Sequence, residues 1–78
     1  MASRITQNRH ARVTEVAATL GATVADSGEM NGWDVAVAGK HVGDIRYEPR
    51  ARVWLAINGT ESTVGDLAGC LRFVIRRY

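Results

Sequence analysis

The sequence predicts an α+β fold in which a helix, a three-stranded antiparallel sheet and a C-terminal helix follow in the order α-β-β-β-α. Three observations lead there. Apolar residues near both ends recur at helical spacing, and between them three short stretches alternate apolar and polar residues with period two. Gly, Pro and Asn, the residues that set turns, separate those stretches. The 78 residues fit one domain spanning 1–78, with residues 1–3 expected to be flexible. A chain this short buries only about 60% of its extended surface, so its core is thin and a homodimer or another partner would enlarge it.

The first helix is expected from Arg4 to Leu20, where Ile5, Val13, Val16, Ala17 and Leu20 share a face. Ser3 is placed to cap its start, and Gly21 stands where glycine ends a helix. Ala22 to Ala25 could form a short extra strand, but the turn chemistry of Asp26-Ser27-Gly28-Glu29-Met30-Asn31-Gly32 follows, and the whole stretch is read as a loop. In the first strand Trp33, Val35 and Val37 oppose Asp34, Ala36 and Ala38, and the chain then turns tightly at Gly39-Lys40.

The second strand sets Gly43, Ile45 and Tyr47 against Asp44, Arg46 and Glu48, and Pro49 ends it by fixing φ and removing a donor. The third strand is read with Ala51, Val53, Leu55 and Ile57 facing the core and Arg52, Trp54 and Ala56 facing out, closed by a turn at Asn58-Gly59. The second helix is expected from Thr63, with Thr63 and Asp66 resembling a capping box. Val64, Leu67, Ala68, Leu71, Val74, Ile75 and Tyr78 form its apolar stripe. Cys70 and Phe73 widen that stripe, leaving either the first helix or a partner chain to cover them.

Composition places the chain among ordinary globular domains, with 46% hydrophobic and 23% charged residues. The net charge is +2, and its distribution matters more than its size. Residues 1–14 and 71–78 carry arginines without acids, whereas residues 15–39 carry Glu15, Asp26, Glu29 and Asp34 without a base. The single cysteine, Cys70, forms no internal disulfide and fits a reducing compartment. No apolar run approaches the ~20 residues of a membrane span, and no secretory segment follows the first arginine. A cytoplasmic protein without membrane contact is therefore expected.

The chemistry of catalysis is not visible in the sequence. Cys70 has no sequence neighbour to act as base, no Gly-rich loop joins a strand to a helix, and the carboxylates show no paired arrangement. His10, His41 and Cys70 lack metal-ligand spacing. A non-enzymatic protein with no metal and no cofactor is the expectation.

At Asp44-Ile45-Arg46 and Ala51-Arg52-Val53-Trp54-Leu55 the chain resembles the Apetala-type, or ethylene-response-factor, DNA-binding domain, and in outline the small N-terminal domains of some integrases. That resemblance implies a three-stranded sheet packed on a C-terminal helix, with the outer sheet face laid in the DNA major groove. It implies that Arg46 and Arg52 reach bases or phosphates, that Trp54 lies along the backbone and that Asp44 positions an arginine. The family's first strand is rich in arginine, whereas this one reads Trp33-Asp34-Val35-Ala36-Val37-Ala38.

Together these readings predict a small binding protein that contacts DNA in a regulatory or accessory role. Arg46, Arg52, Trp54 and Asp44 are the expected centre of its site, and Lys40 and Arg50 the rim. The alternative is a phage- or mobile-element-type inhibitor, of the anti-CRISPR kind, that blocks a host or defence protein. It would use the same face or one built from Cys70, Phe73 and Arg77, and the acidic loop from Asp26 to Asn31 could imitate phosphate charge.

Overall fold

Two helices cover one face of a five-stranded antiparallel sheet in a computed structural model that describes residues 4–76. The chain runs α1 (Arg4–Thr19), β1 (Thr23–Asp26), β2 (Gly32–Val37), β3 (Lys40–Glu48), β4 (Val53–Asn58), β5 (Glu61–Gly65) and α2 (Leu67–Arg76). The α+β class and both helices match the sequence reading, but the sheet has five strands where three were expected. Each strand pairs with its sequence neighbour, in the order β1-β2-β3-β4-β5. The cap at Ser3, the flexible start and Arg77 lie outside the described residues.

The helix ends follow local chemistry. At the end of α1, Gly21 takes φ +79°, its N–H donates to the Ala18 carbonyl and the Ala22 N–H donates to the Ala17 carbonyl at 2.9 Å. That is a Schellman cap, and it sends the chain straight into β1. The second helix begins later than Thr63. Asp66 Oδ1 accepts from the Gly69 N–H at 2.7 Å, so Asp66 is the cap, and the residues before it belong to β5.

The hairpin turns carry the mirror-image backbone that the right-handed twist of strands prefers. Ala38 and Gly39, both with positive φ, join β2 to β3 as the central pair of a two-residue loop. Gly59, with φ +61°, begins the two-residue loop between β4 and β5. Between β3 and β4 the chain turns through Pro49–Arg52, and Arg52 adopts φ 55°.

Both helices pack on one face of the sheet. The single hydrophobic cluster joins Val13 and Ala17 of α1, Trp33 and Val35 of β2, Ile45 of β3, Ala56 of β4, and Leu67, Cys70, Leu71 and Val74 of α2. Gly43 lets α2 approach: a Cβ there would stand 2.7 Å from the Ile57 carbonyl oxygen and 2.8 Å from Val74 Cγ1. Toward the other end Trp33 Nε1 donates to His10 Nδ1 at 2.9 Å. The Arg9 guanidinium lies 4.2 Å over the Tyr47 ring while its Nη1 donates to Asn31 Oδ1 at 2.7 Å. These contacts fix α1 across the ends of β2 and β3.

One strand is turned over relative to the sequence reading. In β4 it is Trp54 and Ala56 that face the helices, and Val53, Leu55 and Ile57 that face away. Ala56 is 0% exposed and pairs with Ile45, whereas Ile57 is 37% exposed and pairs with Asp44. Trp54 completes an aromatic group inside, with its ring centroid 5.5 Å from that of Trp33 and 5.1 Å from that of Tyr47.

Candidate functional site

The face of the sheet turned away from the helices is the candidate site, and register determines what it presents. One row across it reads Ala25, Asp34, Asp44, Ile57, Ser62 from β1 to β5. The next reads Gly32, Arg46, Leu55, Val64 from β2 to β5. The face therefore has two halves. Charged groups crowd β2 and β3, while β4 and β5 offer Val53, Leu55, Ile57 and Val64, the last 60% exposed.

A β-bulge builds the charged half. The two-residue turn pairs Val37 with Lys40 and Ala36 with His41, and a regular ladder would then pair Asp34 with Gly43. Instead the register shifts between Val35 and Ala36, Val42 is left over, and Asp34 stands opposite Asp44. The same extra residue brings His41 and Asp44 to one face, although residues three apart on a regular strand point to opposite faces. Val42 packs against the core.

His41 Nε2 and Asp44 Oδ1 lie 3.0 Å apart. Beside them Arg46 Nη2 donates to Glu29 Oε2 at 2.8 Å, which ties the loop before β2 to the sheet. Both partners are well exposed, so this pair contributes at most about 1 kcal/mol. The carboxyl of Asp34 is pushed above the ordinary carboxylate range, first by a hydrogen bond shared with Asp44, then by desolvation and by the charge of Asp44, with His41 opposing. Among the described residues, Asp34, His41 and Asp44 are the one group of three or more potential metal ligands within reach of each other, their ligand atoms all within 4.8 Å. A shallow depression of about 250 Å³ touches this group between Glu29, Arg46 and Ile57.

The residues expected at the centre of a DNA-contacting face are dispersed. Arg46 and Asp44 are on the open face, but Arg46 is paired with Glu29 and Asp44 with His41. Trp54 is on the covered face among Trp33 and Tyr47. Lys40 begins β3 and Arg50 and Arg52 lie in the turn beyond its end, so the two expected rim positions are roughly 27 Å or more apart along a nine-residue strand. The acidic loop is occupied by the fold: Asp26 Oδ1 accepts from the Gly28 N–H at 2.8 Å, and Glu29 holds Arg46.

The second expected surface also differs in detail. Cys70 is 1% exposed, and burial pushes its thiol up, so it lies beneath the surface rather than on it. Phe73 is half-buried and lines a groove of about 420 Å³ between α2 and β5, together with Arg72, Arg76 and Thr63.

Sequence reasoning missed Asp34, His41 and Val64 as surface partners. The bulge that sets Asp44 opposite Asp34 and on the face of His41 leaves no mark in the pattern of apolar residues. Val64 was assigned to the helix stripe because Thr63-Val64 reads equally well as a helix start.

No known protein family matches the chain, and no curated protein and no solved structure matches it.

Proposed function

We propose that the chain is a small non-enzymatic binding protein whose open sheet face docks onto another protein. The observation that carries this reading is the apolar half of that face, where Leu55, Ile57 and Val64 lie side by side next to a charged half whose groups are already paired. An apolar patch beside a polar border is the anatomy of a protein interface. Duplex DNA fits it less well. The one cation on the central strands of that face is held by Glu29, and Asp34, Asp44 and Glu48 share the surface with it. Inhibition of a host or defence protein remains the biological role that best suits a binding module of this size.

The test compares the wild type with an Ile57→Thr/Val64→Thr variant, which keeps β-branched side chains while removing apolar surface. Proteins captured by the wild type from the encoding organism are purified and their affinity for each form is measured. A partner whose binding falls about tenfold or more on the double substitution supports the reading. Fluorescence anisotropy with random-sequence duplex DNA at two salt concentrations supplies the contrary outcome. Salt-sensitive DNA binding that Arg46→Ala abolishes, with no protein partner lost in the double variant, would overturn it.

A further inference from the structure

We propose that Asp34, His41 and Asp44 form a binding site for one divalent transition-metal ion, with zinc the best-fitting occupant, at the centre of the open sheet face.

The site draws on two adjacent central strands, and its donors are an imidazole nitrogen and two carboxylate oxygens whose ligand atoms all lie within 4.8 Å of one another. Around a tetrahedral zinc ion, with bonds of about 2.0–2.2 Å, ligand atoms stand roughly 3.4 Å apart. His41 Nε2 and Asp44 Oδ1, at 3.0 Å, are already near that spacing, and rotation of the half-buried Asp34 carboxyl completes it. The backbone need not move.

The placement of the imidazole distinguishes this group from a patch of acids. Were Val42 paired in a regular ladder instead of bulged out, Asp44 would turn toward the helices and Asp34 would meet Gly43. A single bulge therefore assembles all three donors on one face, and bulges that re-aim side chains cluster beside functional sites. Electrostatics points the same way. Two aspartates directly opposed across antiparallel strands destabilise each other, and a cation between them converts that repulsion into attraction.

The donor set selects the class of ion. One imidazole with two carboxylates suits Zn²⁺ and its first-row neighbours, whereas Ca²⁺ seeks six to eight oxygens and Mg²⁺ an octahedral oxygen shell. Three protein ligands leave at least one position for water or for a side chain brought by a docking partner. The occupancy itself does not depend on that partner, so it is measured on the isolated chain.

The experiment titrates the chelator-treated full chain with Zn²⁺ by calorimetry, with Co²⁺ absorption as a spectroscopic check and Mg²⁺ as the comparison ion. The expected result is one ion per chain, a raised Tm with Zn²⁺, and affinity reduced about tenfold or more by His41→Ala and by Asp34→Asn. Asp34→Asn is nearly isosteric and relieves repulsion, so it is expected to fold. Glu48→Gln, which alters another acid of β3, should bind as the wild type does. Absence of binding at one equivalent, binding unchanged in both ligand variants, or equal binding of Mg²⁺ would each overturn the proposal.

Discussion

The two faces of the sheet obey different rules, although the same five strands supply both. On the covered face every position is decided by volume. Gly43 and Ala56 are small because α2 lies directly on them, and Trp33, Tyr47 and Trp54 are large where the space between α1 and the sheet must be filled. On the open face neighbours across strands decide, with Asp34 against Asp44, Arg46 beside Leu55, and Leu55 beside Val64. The covered face is a solution to packing, whereas the open face keeps apolar groups and like charges that packing does not require. Such departures from local economy are where function is sought.

The contrast is broken most severely from the covered side. Leu71 is 0% exposed in the central cluster, and Leu71→Ala should destabilise the fold by about 2–5 kcal/mol in urea denaturation. Gly43→Ala adds only a methyl group, but it meets the Ile57 carbonyl and Val74, and a loss of about 1–3 kcal/mol is expected. If Gly43→Ala proved neutral, the close approach of α2 to β3 would be wrong.

Much of this division was legible in the sequence, and its failures have physical causes. The alternation of Trp33, Val35 and Val37, and of Ile45 and Tyr47, gave the correct face because the charged Asp34 and Arg46 mark the other one. In β4 the run Val53-Trp54-Leu55-Ala56-Ile57 is apolar at every position, so hydrophobicity carries no parity. Only the fit of Ala56 beneath α2 decides it. The strand Thr23–Asp26 lacks alternation since it is an edge with mostly exposed side chains, and Glu61–Gly65 is polar for the same reason. Of the candidate site, Asp44 and Arg46 were legible as site residues and Asp34 as a residue of the outer face. The meeting of Asp44 with Asp34 depends on a register shift, and the apolar half on the inverted strand.

Smaller effects sharpen the comparison. Ala38 sits at positive φ in the β2–β3 turn, where Asn or Gly is preferred, and Ala38→Asn should stabilise by about 0.5–1 kcal/mol in thermal unfolding. On the open face, Val64→Thr should change stability by less than about 0.5 kcal/mol, in contrast to any comparable truncation beneath the helices.

The smallest expected effect concerns pH. Because the folded Asp34 carboxyl is raised, the unfolded chain loses its proton first, and the associated stability is present on the acid side and lost as pH rises through the folded value. In metal-free buffer, Asp34→Asn should flatten this part of the profile and be relatively more stable at neutral pH, as followed by Tm against pH.

The order of strands has a consequence for how quickly this molecule can form. Each strand meets only its neighbour in sequence, and three of the four connections are turns of two to four residues. Closing such short loops costs little chain entropy, so the sheet can grow hairpin by hairpin in the microsecond range typical of hairpins. The two helices come from opposite ends of the described chain and touch each other over the finished sheet. The docking of α2 on β2, β3 and α1 is the longest-range closure in the architecture, and it sets the pace of folding.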